Sequence, residues 1–242
     1  MKNALFLALT GLSLVACGGG MDDRGPVDEN VGESENQMSL PPGIAQIPTS
    51  YLINFDKDTS GTSLADGTII DSTYTSLGVT FSGISCVPGS GCTTGHAFAR
   101  AAVSPESAPN VVSQNTNTLP FFDARFGAVR ADFATGRNWV SIDVMPVLTA
   151  ADWITPPTSQ PWFEAYDANN NLVGQVYYPI AFGATNWGSY QTLRIDAGSA
   201  RIKWVRFSAQ PPGSNTAEVF AQFDNLRFST NIVRPCVIGL GC

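Results

Sequence analysis

The chain has 242 residues, with 13 Lys and Arg against 20 Asp and Glu, one His, and a formal net charge of -7. That balance excludes an electrostatically driven nucleic-acid binder, and a single His excludes multi-His metal centres. Hydrophobic content of 43% with 14% charged residues suits a folded domain, while 23 Gly and 16 Pro favour turns and strands over long helices.

The chain opens with MKNALFLALTGLSLVAC, one positive charge at Lys2 followed by an apolar run from Ala4 to Val15. A run of about a dozen residues is short for a bilayer span and fits the apolar centre of a secretory signal. Leu14-Val15-Ala16-Cys17 resembles the lipobox of bacterial lipoproteins. The resemblance implies that residues 1–16 are a cleaved signal peptide and that Cys17 carries lipid on its thiol and new amino group. The alternative is an ordinary secretory signal with an incidental Cys. No second apolar stretch of spanning length follows, so membrane attachment is expected through the fatty-acyl anchor alone. Gly18 stands where an Asp would favour the inner membrane, so the expected location is the bacterial cell envelope, at the outer membrane.

Residues 17–50 read as the lipidated Cys and a flexible acidic linker. After Cys17 the stretch holds GGG, four prolines, six acidic residues and only Arg24 in opposition, with no apolar period. Such a segment buries too little apolar surface to offset its ordering entropy. Treated as a coil it spans roughly 30 Å, a spacer between membrane and domain.

Residues 51–230 read as one all-β domain, an antiparallel β-sandwich of jelly-roll type, with 231–242 as a C-terminal tail bearing a Cys loop. Short Val-, Ile- and aromatic-rich runs recur between turn clusters: 51–55, 67–71, 78–82, 110–113, 128–134, 138–144, 162–168, 172–178, 192–196, 202–208 and 219–228. Val140, Ile142 and Val144 alternate with Trp139, Ser141 and Asp143, a one-sided strand. Asp167 to Asn171 reads as a hairpin turn.

Four cysteines remain after lipidation, in two similar loops, Cys86-Val-Pro-Gly-Ser-Gly-Cys92 and Cys236-Val-Ile-Gly-Leu-Gly-Cys242. An even number in an oxidising compartment reads as disulfides. Local pairing within each loop is the simplest account of the repeated spacing. Bridges between the loops and a four-thiolate zinc site stay open as alternatives.

The alternation also outlines a candidate ligand face. If Val140, Ile142, Val144, Phe163 and Ala165 face the core, then Trp139, Asp143, Trp162, Glu164 and Tyr166 face outward. Consecutive strands pair by default, and pairing would gather these five on one surface. Aromatic rings stack on sugar C–H faces and carboxylates accept from hydroxyls, so the set suits a glycan. The alternative is that Trp139 and Trp162 pack as structure. Asp143 and Glu164 would serve as an acid/base pair only at a separation that sequence does not set. His96 stands alone, and no nucleophile, zincin or phosphate-loop motif occurs.

INFD near residue 53, DGTIIDSTYTSLGVTFSG, FEAYDANNNLVG and FDNLRF resemble the jelly-roll domains of secreted bacterial proteins. These include galactose-binding-like folds and carbohydrate-binding modules. The resemblance implies a structural Ca²⁺ held by Asp56 and Asp224, with Asp58 a weaker third ligand, and carboxylates suit that ion. Turn-capping without metal is the alternative reading of the same residues. The expected function is thus a non-enzymatic, lipid-anchored envelope protein binding glycan or another surface or matrix component. A structural or adhesive protein with protein partners is the runner-up, and a glycoside-active enzyme is third.

Overall fold

The computed structural model describes residues 49–87, 91–102, 105–114, 127–147, 160–178, 189–209 and 220–230. The segments expected as signal peptide, lipidated Cys17 and linker, to residue 48, and the expected loop with Cys236 and Cys242 lie outside the described residues. The described part is all-β, as the sequence predicts. Its strands are β1 (Ser50–Ile53), β2 (Thr68–Ile69), β3 (Val79–Val87), β4 (Gly91–Gly95), β5 (Phe98–Ala101) and β6 (Asn110–Ser113). They continue with β7 (Gly127–Arg137), β8 (Trp139–Val147), β9 (Trp162–Tyr166), β10 (Leu172–Tyr177), β11 (Gln191–Asp196), β12 (Ile202–Ser208) and β13 (Phe220–Ser229). β4 and β5 are the two strands that the apolar pattern does not announce. β4, GCTTG, is exposed at every position, so no buried face imposes alternation on it.

Two antiparallel sheets pack face to face. One has the order β11-β8-β13-β6-β5-β2, with β1 also paired to β13; the other has the order β10-β9-β12-β7-β3-β4. Period-two side chains fill the space between them: Val140, Ile142 and Val144 from β8, Phe163 and Ala165 from β9, Val205 and Phe207 from β12, all at 0% exposure. Aromatic pairs bridge the sheets, Phe207 to Phe223 at 5.0 Å and Phe133 to Phe228 at 5.1 Å. Burial of each such side chain contributes about 1.5–3 kcal/mol, so this layer is what holds the sheets together.

Arg137 crosses the same gap. Its guanidinium lies 4.7 Å from the Phe228 ring centroid and donates to the carbonyls of Ser229 and Leu77. Burial lowers its pKa. At the sheet edge, Gly174 admits a close approach: a Cβ there would come within 2.7 Å of Ile195 Cγ2 on β11. Cys92 is disulfide-bonded, and the register of β3 with β4 places Cys86 directly opposite it.

One expectation is overturned by the topology. β8 belongs to the seven-stranded sheet and β9 to the six-stranded sheet, so these consecutive strands do not pair. β8 pairs with β11 and β13, while β9 pairs with β10 and β12. The Pro-containing connection leads from one sheet to the other, which defeats the default of adjacent pairing. Trp139 and Asp143 therefore face out on one side of the sandwich, and Trp162, Glu164 and Tyr166 on the opposite side.

Candidate functional site

The outer face of the six-stranded sheet carries the denser constellation. Alternation turns Trp162, Glu164 and Tyr166 outward on β9, Trp204 and Arg206 on β12, and Arg130 and Asp132 on β7. Their neighbours Phe163, Ala165, Val205, Phe207, Val129 and Ala131 are fully buried in the core. Register then aligns these side chains in rows across the strands. One row runs Gln175, Glu164, Arg206, Arg130, Ser82, and the next runs Leu172, Tyr166, Trp204, Asp132, Thr80.

Between them the two rows build an aromatic and cationic stack. Tyr166 and Trp204 lie parallel, with centroids 3.8 Å apart and planes inclined by 6°. Arg130 lies over the Trp204 ring at 4.1 Å, and Arg206 lies 5.3 Å from Tyr166 and 5.2 Å from Trp162. The order is Arg130, Trp204, Tyr166, Arg206, Trp162. Trp204 makes ring contacts with both Tyr166 and Arg130, and its Nε1 donates to Asn170 Oδ1 at 3.0 Å. A ligand on this face thus meets ring edges and guanidinium groups rather than a bare aromatic platform.

Glu164 is the hub of the face. It is 7% exposed and accepts from Arg206 Nε and Tyr166 Oη at 2.6 Å each and from Gln175 Nε2 at 2.5 Å. Burial, then the hydrogen bond to Glu164, pushes the Tyr166 hydroxyl up to about 12. The carboxylate read from sequence as a sugar acceptor is instead an organiser of Arg206 and Tyr166. Trp162, at 1% exposure, is buried within the same face, and its Nε1 has no hydrogen-bond partner.

On the opposite face, Asp143 accepts from Thr192 Oγ1 at 2.6 Å and from Arg227 Nη1 at 2.8 Å. Arg194 covers one face of Trp139 at 4.1 Å and pairs with Asp196. Asp143 and Glu164, expected as a candidate acid/base pair, are thus separated by the thickness of the sandwich. His96 Nδ1 lies 2.5 Å from Asp71 Oδ2 at the start of β5, where Asp71 also accepts from the Ala97 amide.

The three carboxylates expected to hold calcium divide. Asp58 is bound into its own turn, accepting from the Ser60 and Thr62 amides and the Ser60 hydroxyl, contacts that lower its pKa. This is the turn-capping role that short loops give Asp. Asp56 and Asp224 do come together. Asp224 is fully buried and accepts from the Ser107 amide at 2.8 Å and the Asn225 amide at 2.7 Å. Asp56 accepts from the Asn110 amide at 2.7 Å. Burial raises Asp224 to about 8, against the lowering effect of its amide donors, and the charge of Asp56 adds to the rise. The adjacent Asn225 Oδ1 is buried with no partner. Two neighbouring carboxylates suit a hard cation that also draws on backbone carbonyls. Among the described residues, no group of three or more His, Cys, Asp or Glu is arranged to hold a metal.

No protein-family model matches the chain, and no curated protein matches it. Among solved structures it is similar to an exo-1,3/1,4-β-glucanase from a Pseudoalteromonas species, at 8% identity and a TM-score of 0.37. That match covers 69% of this chain but spans only 21% of the glucanase. It is also similar to the CBM22-1 xylan-binding domain of Paenibacillus barcinonensis Xyn10C, at 9% identity and a TM-score of 0.31, covering 74% of this chain and 93% of that domain. The K3 adhesin domain of Lys-gingipain from Porphyromonas gingivalis matches at 12% identity and a TM-score of 0.25, covering 75% and 92%. The likeness is one of sandwich architecture and transfers no residue role.

Proposed function

We propose that the chain is a non-enzymatic, lipid-anchored envelope protein whose sandwich binds glycan on the outer face of the six-stranded sheet. One observation carries this reading: the half-buried group Arg130, Trp204, Tyr166 and Arg206, preset by Glu164 and Asp132 on rigid strands. Side chains locked by packing and hydrogen bonds lose little entropy on binding, which is what a recognition surface requires. Sugar hydroxyls meet guanidinium N–H groups, and the exposed rims of the rings supply apolar contact area. A glycan-array screen of the full chain tests the reading. It predicts retention on a defined glycan class, and an array with no retained glycan would remove it.

The runner-up is an adhesive or structural envelope protein, and it has its own support. Trp204 is in contact on both faces, and an Arg- and Tyr-rich surface also suits a protein interface.

Anchoring follows from the lipobox resemblance. Replacement of Cys17 by Ala should abolish lipid labelling and release the protein from the membrane fraction. A Cys17→Ala protein that still sediments with membrane at high salt would contradict the anchor.

Calcium is expected at Asp56 and Asp224, with the third expected ligand, Asp58, engaged in its own turn. An ion that binds only the folded state stabilises it by mass action, so the melting temperature should fall in chelator and recover with added Ca²⁺. Asp224→Ala should melt low and ignore Ca²⁺. In chelator, the folded wild type holds a proton on Asp224 that the unfolded chain releases above about 3.8. Stability should then fall as pH rises from about 3.8 to about 8, and Ca²⁺ should flatten that slope. A wild-type melting temperature indifferent to chelator at neutral pH would remove the ion from the account.

A further inference from the structure

Two guanidinium groups stand side by side on the six-stranded sheet. Arg206 and Arg130 are direct cross-strand partners, where like charges repel. Each is turned to its own carboxylate. Arg206 donates through Nε to Glu164 and through Nη2 to Tyr166 Oη. Arg130 donates through Nε and Nη2 to the two oxygens of Asp132. The Nη1 group of each is left without a partner among the described residues, and the two side chains are 28% and 32% exposed.

The acceptors around them are already engaged. Glu164 takes three donors, both Asp132 oxygens lie on Arg130, and Asn170 Oδ1 lies on Trp204. Lys203, at the start of the same strand, adds a third cation, tied through Nζ to the Ala134 carbonyl. The surface therefore offers unused guanidinium N–H donors and three cations against two occupied carboxylates, on a chain of net charge -7. A sugar hydroxyl is both donor and acceptor and is best matched by a mixed surface. A carboxylate or sulfate is acceptor-only, and the planar guanidinium matches its geometry.

We propose that Arg130 and Arg206 together form a cradle for the anionic group of an acidic glycan, a uronate carboxylate or a sugar sulfate. This rests on the glycan reading of the same face and narrows its substrate class. The test is binding of the full chain in detergent to polygalacturonate and chondroitin sulfate, against xylan and mixed-linkage β-glucan. Polyglutamate serves as a polyanion without sugar. The expected result is that at least one acidic glycan binds about tenfold or more tighter than the neutral ones, with weakening at high salt. Chondroitin sulfate carries glucuronate as well as sulfate, so desulfated chondroitin is run beside it: loss of binding on desulfation assigns sulfate, and retention assigns the uronate.

Arg130→Gln should lose about tenfold on the acidic glycan and several-fold less on a neutral one, which loses a hydrogen bond but no ion pair. Its partner Asp132 is 41% exposed and can be hydrated, so the variant should melt close to wild type. Arg206→Gln leaves Glu164 without its cation, so Arg130→Gln carries the test if that variant fails to fold. Equal or tighter binding of neutral glycans overturns the cradle and leaves the glycan reading standing. Polyglutamate binding as tightly as the acidic glycans also overturns it. Retention of no glycan of either kind removes both.

Discussion

Replacing Trp162 by Ala is expected to cost about 3–5 kcal/mol of stability, the range for buried large aromatics. The ring faces outward from its sheet, yet it is 1% exposed and among the largest fully buried side chains. Register places it between Tyr177 and Ser208, with Arg206 5.2 Å from the ring centroid. Truncation leaves a cavity whose floor is strand backbone, which cannot collapse into it. The unpaired Nε1 places the cost toward the lower end, since its loss also removes an unsatisfied buried donor. Trp139→Ala should cost only about 1 kcal/mol, because that ring is partly exposed and covered on one face by Arg194. Denaturant unfolding checks both values. A Trp162→Ala cost under about 1 kcal/mol would show that the ring is not structural.

The second large effect belongs to Glu164. Glu164→Ala leaves Arg206 Nε, Tyr166 Oη and Gln175 Nε2 without their shared acceptor in a partly dry site. Breaking a buried ion pair costs about 3–5 kcal/mol; Arg206 keeps 28% of its side chain in solvent, which brings the expectation to about 2–4 kcal/mol. Glu164→Gln keeps the shape and loses the charge, so about half that cost is expected. It should also let the Tyr166 hydroxyl fall from about 12 toward its ordinary 10, because the carboxylate that holds the phenol proton is gone. An ultraviolet tyrosine titration of the two proteins reads this directly. An unchanged titration would contradict the hub assigned to Glu164.

The sandwich was legible wherever one face of a strand is buried. In β8 and β9 the alternation of Val140, Ile142 and Val144, and of Phe163 and Ala165, is imposed by the core and survives as a period of two. The pairing of those strands was not legible, because it depends on where the connection between them leads and not on their own residues. The missed site residues follow the same logic. Trp204 and Arg206 sit opposite Val205 and Phe207, and Arg130 and Asp132 sit opposite Val129, Ala131 and Phe133, so their outward orientation could be read in the runs at 202–208 and 128–134. What could not be read is that β12 lies between β9 and β7, which builds the ladder from residues about 40 apart on one side and about 75 on the other. Glu164 and Asp143 look alike as outward carboxylates on strands. Only their neighbours reveal that both are saturated by Arg and hydroxyl donors. Asp58 likewise looks like a calcium ligand until its turn closes on it.

The central claim is that glycan is bound by the outer face of the six-stranded sheet and not by the face that carries Trp139. The direct measurement is glycan affinity of the full-length wild type beside Trp204→Ala and Trp139→Ala, each checked for an intact fold by its melting curve. Trp204→Ala should lose about 1–3 kcal/mol of affinity, as truncation of a central aromatic does, and Trp139→Ala should bind as the wild type does. Loss of binding in Trp139→Ala with retention in Trp204→Ala would place the site on the opposite sheet and contradict the account.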